Sequence, residues 1–355
     1  MRRGYLLIVA IAFSILLCGC DLWMDGEYVS VKPHEENNPV PEQQISEIMT
    51  YSQLRQALVD MVELGAREKV FSIPRLDQSE IGEYMELATT YVTELNAIGA
   101  YSVDKVDYEL GTNAGKPAIA VEITYVHDRS DLVHIQRVET MTEAYEAIAE
   151  ALKQCEQRVV ILVSRYDNMD LPQMIEDYSN THPEIVMEVP KVTASVYPEV
   201  GVERLIEITF TYQNSRLSLR SMQERVLPVF TSAELYVSGD AAPIEKYAQL
   251  FSFLMERYDY KIQTSITPSY SLLRHGVGDC RAFANVYAAM CRLAGLDCQV
   301  ISGTREGEAW CWNVICIDGI NYHLDLLQSN RFKLKTETEM SGYVWDFSAY
   351  PAALE

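Results

Sequence analysis

The sequence predicts an α+β chain in which a duplicated α+β region precedes a separate C-terminal fold. Three observations carry this. Residues 50–88 align without a gap on residues 140–178. A long helix opens at Asp279-Cys280. An Asp318-Gly319 turn then joins two β-rich runs. The 355 residues are 48% hydrophobic and 23% charged, which suits about two domains with cores of their own and excludes wholesale disorder. With 29 Lys+Arg against 51 Asp+Glu, the net charge of -22 would repel a polyanion, so nucleic acid is excluded as a partner.

The N-terminus reads as an address. Arg2 and Arg3 precede an apolar run from Tyr5 to Leu17, shorter than the about 20 residues that span a bilayer. That is the pattern of a signal peptide over residues 1–19. The following Leu17-Cys18-Gly19-Cys20 resembles the lipobox of bacterial lipoproteins, and the resemblance implies that Cys20 becomes the lipidated first residue of the mature chain. Loss of Arg2 and Arg3 would leave that chain still more acidic. Residues 20–45 are polar and proline-bearing, as in Lys32-Pro-His-Glu-Glu-Asn-Asn-Pro, and predict an extended tether. The expected location is extracytoplasmic, with the membrane as a partner through the anchor at Cys20.

Each repeat, 46–138 and 139–232, predicts the order helix, strand, helix, strand, strand. Leu54, Leu58, Met61 and Val62 make one helical face, and Ala144, Ala147, Ile148 and Ala151 its counterpart. The strands Lys69–Ile73 and Val159–Val163 follow, then helices near Ser79–Tyr91 and Leu171–Tyr178. Strands Val121–Thr124 and Ile206–Thr209 close the units. Arg75 and Asp77 match Arg165 and Asp167 just after a strand, marking either a ligand site or a salt-bridged turn. His127, His134 and His182 stand at no ligand-like spacing, and no metal or cofactor is implied.

In residues 233–355 the helix 281–295 has Phe283, Val286, Tyr287, Met290 and Cys291 on one face and Gly295 as a stop. Asp279 is the natural N-cap, placing Cys280 at the first helical position, where free N–H groups and the helix dipole should lower a thiol pKa. If Asp318-Gly319 is a two-residue turn, Val314 pairs with His323. Trp310, Trp312, Val314 and Cys316 then share a face with Asn321, His323, Asp325 and Leu327, and Cys311 points to the other. Cys280 and Cys291 are separated by about 16 Å of helical rise and cannot bridge. Cys298 and Cys316 read as core thiols, and a Cys291–Cys298 bridge stays open.

Residues 270–325 resemble the transglutaminase-like superfamily, the papain-like fold shared by transglutaminases and bacterial cysteine peptidases. The resemblance runs through Gly276-Val-Gly-Asp-Cys280, Leu296-Asp-Cys-Gln-Val-Ile-Ser-Gly303, Trp312-Asn313 and Tyr322-His323-Leu324-Asp325. The tail Gly342-Tyr-Val-Trp-Asp-Phe-Ser-Ala-Tyr-Pro351 extends it. It implies a Cys–His–Asp triad for acyl transfer, with Cys280 as nucleophile and Asp325 as orienting acid. The family's histidine stands two residues before Trp-Asn, and here that position is Trp310. His275 and His323 are the candidate substitutes.

The expectation is therefore a catalytically degenerate domain that binds a peptide, protein or cell-wall component, with Trp310 and Trp312 as aromatic anchors. The alternative is an active cysteine peptidase or acyltransferase that uses His275 or His323. A third possibility puts the work in the duplicated region.

Overall fold

The computed structural model describes residues 46–76, 79–262 and 264–353. The expected signal peptide, tether and Cys20 lie outside the described residues, as does Asp77.

The first repeat runs α1 (Tyr51–Leu64), β1 (Glu68–Ser72), α2 (Ile81–Thr90) continued by a π-helical turn at Tyr91–Leu95, α3 (Ala97–Ser102), β2 (Val103–Asn113) and β3 (Lys116–Tyr125). Thr50 starts α1 by accepting from Gln53 N at 3.3 Å, and Gly65 ends it in the left-handed region. Between these caps the apolar spacing buries Leu54, Leu58, Met61 and Val62. The sheet order is β1-β3-β2, with Lys69 opposite Val121.

The second repeat has α4 (Arg129–Leu132), β4 (Gln136–Thr140), α5 (Met141–Lys153), β5 (Arg158–Arg165), α6 (Leu171–Thr181), β6 (Lys191–Tyr197) and β7 (Arg204–Thr211). Its sheet is ordered β4-β5-β7-β6, and Val159 stands opposite Ile208. Strands β5-β7-β6 thus reproduce the order β1-β3-β2, while β4 adds a parallel edge strand that the repeat does not foretell. Val160 and Leu162 of β5 and Leu205 of β7 join the core of the first repeat, so the two sheets share apolar contact.

After Arg165 the matched pair is not a salt-bridged turn. Arg165 faces Glu139 at 3.9 Å, and Asp167 Oδ1 accepts from Asn168 N.

The expected division at residue 232 falls inside α7 (Arg216–Tyr236). Its Leu219, Val226, Phe230 and Ala233 pack into the C-terminal core. Then come α8 (Pro243–Met255), β8 (Asp259–Tyr260), α9 (Pro268–His275), β9 (Val277–Gly278), α10 (Cys280–Leu293), β10 (Cys298–Arg305), β11 (Glu308–Ile317), β12 (Ile320–Leu324), a 3-10 turn at Glu337–Glu339 and β13 (Tyr343–Val344). The sheet is antiparallel in the order β12-β11-β10-β13.

Helix α10 departs from the one-faced expectation, because every residue from Ala282 to Cys291 is buried. Strands β10 and β11 cover one side and α7, α8 and α9 the others. Small residues at Ala282, Ala284, Ala288 and Ala289 let those neighbours close in, and burial of Phe283 and Tyr287 contributes about 1.5–3 kcal/mol each. The β11–β12 turn is the two-residue type, with φ of 51° at Asp318 and 82° at Gly319, and Val314 stands opposite His323.

Candidate functional site

The site is built where the start of α10 meets β11 and the end of β12. Asp279 Oδ1 accepts from Ala282 N at 2.8 Å, which caps α10 and sets Cys280 as its first residue. Asn313 on β11 ties the strand to the helix, donating from Nδ2 to Ala284 O at 3.0 Å. The helix start therefore lies over the face of β11 that carries Cys311 and Asn313.

On that face Cys280 and Cys311 are neighbours, and each perturbs the other's titration. Cys311 Sγ also lies 3.7 Å from Ser302 Oγ on β10. The influence of Cys311, reinforced by burial, raises the Cys280 thiol well above the ordinary range. The influence of Cys280, larger than that of burial or Ser302, lowers the Cys311 thiol to about 6. This reverses the expectation from the helix start.

The other face holds the acid. Asp325 is buried, with a side chain 1% exposed, and its Oδ2 accepts from three donors. They are Trp310 Nε1 at 3.0 Å, Arg305 Nη1 at 3.2 Å and Tyr343 OH at 2.6 Å. Oδ1 accepts from Leu327 N at 3.0 Å. The guanidinium of Arg305 sits 5.1 Å from the Trp310 ring, closing the cluster by cation–π contact. An indole N–H thus occupies the acid. It donates, and it has no lone pair with which to take a proton from sulfur.

Neither candidate substitute histidine is hydrogen-bonded to Cys280. His323 is 1% exposed and its Nδ1 accepts from Trp312 Nε1 at 3.1 Å. Its Nε2 is buried without a partner, and burial lowers its pKa, so the ring is neutral. His275 is exposed at the end of α9 and packs edge-on against Tyr270. Trp312 is corrected as well. It is fully buried between Tyr343, Trp345 and His323, and a ligand cannot reach it. Gly303 is the reason it fits, since a Cβ there would stand 2.9 Å from Trp312 Cη2 and 2.3 Å from Val344 O.

Trp310 is half-exposed and reaches a cleft of about 450 Å³. Tyr260 stands 5.6 Å from it, ring to ring, and Glu256, Asp259 and Tyr258 complete the acidic, aromatic wall. The cleft stands beside the acid cluster: among the charges that raise the Tyr260 phenol are those of Cys280 and Asp325, after burial. Among the described residues no three His, Cys, Asp or Glu side chains converge as a metal's ligand set.

Residues 231–345 match the transglutaminase-like superfamily. This part of the chain is a transglutaminase-like domain. The match covers about a third of the 355 residues. No curated protein matches the chain. Among solved structures, a TGase is similar at 8% identity over 69% of each chain, with a TM-score of 0.28. A provisionally assigned cysteine protease from Cytophaga hutchinsonii is similar at 12% identity over 44% of this chain and 65% of its own, with a TM-score of 0.27. A provisionally assigned protease from Parabacteroides distasonis shows 10% identity over 65% of this chain and 41% of its own, at a TM-score of 0.23.

Within the transglutaminase-like domain, sequence reasoning missed Cys311, Arg305, Tyr343 and Tyr260. Alternation along β11 put Cys311 opposite Trp310 correctly, but that other face is the one α10 crosses. Arg305 and Tyr343 come from β10 and β13, which pair with each other at the sheet edge. Tyr343 lay in the quoted tail, yet nothing in its spacing ties it to Asp325.

Proposed function

We propose that this chain is a lipid-anchored extracytoplasmic protein whose transglutaminase-like domain binds peptide segments without turning them over. One observation carries the loss of catalysis: Trp310 Nε1 donates to Asp325 Oδ2 at 3.0 Å, in the place a general base would hold. The group that most perturbs the Cys280 thiol is a second cysteine and not an imidazole, which agrees with that reading. Chemical steps that need the thiolate to form, attack and hand a proton to the leaving group have no carrier, and the rate should fall by orders of magnitude.

The cleft beside Trp310 supports the binding role. Aromatic faces of Trp310 and Tyr260 with the carboxylates of Glu256 and Asp259 favour an amine or guanidinium over an anion. A peptide or cell-wall stem peptide presenting a lysine-like amine is the fitting class. Anchoring at Cys20 would hold the cleft near such material.

The test has two arms. Fluorescently labelled lysine-bearing and glutamate-bearing peptides are titrated against the protein by anisotropy, and hydrolysis and amine transfer are assayed on the same peptides. The expected result is saturable binding of the lysine peptides, weakened at least tenfold by Trp310→Ala, with no Cys280-dependent turnover. Turnover abolished by Cys280→Ala would overturn the reading. For the anchor, loss of membrane association on Cys20→Ala is expected, and an unchanged distribution would remove that part.

A further inference from the structure

Helices α7, α8 and α9 leave a groove of about 710 Å³ between them, and its charge is the reverse of the Trp310 cleft's. On α7 its wall is one helical stripe of Arg225, Val229, Ser232 and Tyr236. Arg257, just after α8, and Arg274 of α9 complete it. Among the described residues that line the groove none is Asp or Glu, in a chain whose net charge is -22.

The guanidinium groups are held without being neutralised. Arg257 donates from Nη1 to Phe253 O at 2.9 Å. Its guanidinium lies 4.2 Å from the Phe253 ring centroid and 5.3 Å from that of Tyr236. The bond and the two aromatic faces orient the fork. Glu256 stands 3.9 Å from it, too far for a hydrogen bond. Arg225 donates from Nη1 to Tyr270 OH at 3.3 Å, a neutral acceptor. Among the described residues neither Arg225 nor Arg274 is paired with a carboxylate. Three exposed cations gathered in this way repel one another, and an anion between them relieves that.

Tyr258 joins the two sites, because it lines both the groove and the Trp310 cleft. Burial raises its phenol, and the charges of Arg257 and Arg274 act against that rise. To one side of Tyr258 stand Glu256, Asp259 and Trp310, and to the other the three arginines.

We propose that the Arg225–Arg257–Arg274 groove is the carboxylate subsite of the peptide site, so that the ligand carries a lysine-like amine for the Trp310 cleft and a free C-terminal carboxylate for the arginines. This rests on the reading of the Trp310 cleft as an amine site and narrows the ligand to peptides with an unblocked end. A carboxylate matches the planar guanidinium fork by accepting two parallel N–H bonds. An anionic lipid surface is the poorer match, because a net charge of -22 sets the rest of the chain against it.

The test titrates the full chain, by anisotropy, with three peptides of one sequence labelled at the N-terminus and bearing a lysine before the last residue. One ends in a free carboxylate, one in an amide, and one in an amide with phosphoserine as its last residue. The carboxylate form should bind about tenfold more tightly than the amide, as a charge-assisted hydrogen bond predicts. Arg274→Gln, at an exposed position, should bring the two forms together. Trp310→Ala should weaken both by the same factor and keep their ratio. Equal binding of acid and amide by the unaltered protein overturns the subsite and leaves the amine reading standing. A preference that survives Arg274→Gln combined with Arg225→Gln also overturns it. So does a phosphoserine peptide that outbinds the carboxylate form, which would assign the groove to phosphate. No binding by any of the lysine peptides removes the Trp310 reading, and this subsite with it. The comparison of acid with amide needs no variant, so a substitution that fails to fold does not decide the matter.

Discussion

Trp310 Nε1 lies 3.0 Å from Asp325 Oδ2, and that bond joins β11 to the residue just after β12. Arg305 and Tyr343 then neutralise and fill what remains of its coordination, so the carboxylate serves structure.

Trp310→Phe should keep the ring and remove the donor. The expected cost is about 1.5–3 kcal/mol, the range for a hydrogen bond to a charged acceptor. Denaturant unfolding with far-UV CD measures it. Trp310→His should recover part of the loss by donating from Nδ1. If Trp310→Phe unfolds at the wild-type midpoint, the bond carries no stability.

Cys311→Ala removes the neighbour that contributes most to raising the Cys280 thiol. The folded pKa of Cys280 is raised, first by that neighbour and then by burial, so its removal must lower the value and increase the thiolate present at neutral pH. Iodoacetamide should label Cys280 faster at pH 7, by about tenfold for each pKa unit recovered. A labelling rate equal to the unaltered protein's would contradict the influence of Cys311 on Cys280.

Gly303→Ala would press a methyl group against Val344 O and the Trp312 ring. Overpacking of this kind costs about 1–3 kcal/mol, and here it would also loosen β13, which carries Tyr343 to Asp325. Thermal unfolding should show a lower midpoint. A neutral effect would mean that the Trp312 pocket yields easily.

His323 ties stability to pH. Burial lowers its folded pKa below the histidine value of about 6.5, so the folded ring stays neutral while the unfolded one takes up a proton. Its contribution is complete above the unfolded value and is lost as pH falls through it. The melting temperature should therefore drop between pH 7.5 and pH 5.5. His323→Gln, whose amide oxygen can still accept from Trp312, should flatten that drop, and identical slopes for the two proteins would dismiss the linkage.

The repeat shows how far local sequence reaches. Helical spacing at Leu54, Leu58 and Met61 and the alternation around Val159–Val163 identify α1 and β5, because each pattern is written in neighbouring residues. The strand orders β1-β3-β2 and β5-β7-β6 agree as two copies of one pattern would. Edge strand β4 and the shared contact through Leu205 escaped, since a parallel partner and an interface between sheets leave no period in the chain.

In the C-terminal domain, sequence alone determined the Asp279 cap, the first-turn place of Cys280 and the Asp318-Gly319 register. All three depend on residues within a few positions of one another. Only the tertiary structure decided what those residues touch. It buried Trp312 beyond any ligand, gave Asp325 to Trp310, Arg305 and Tyr343, and set Cys311 under Cys280. Each of these contacts joins segments distant in the chain through the packing of α10 on its sheet, and packing is a property of surfaces that local pattern does not contain.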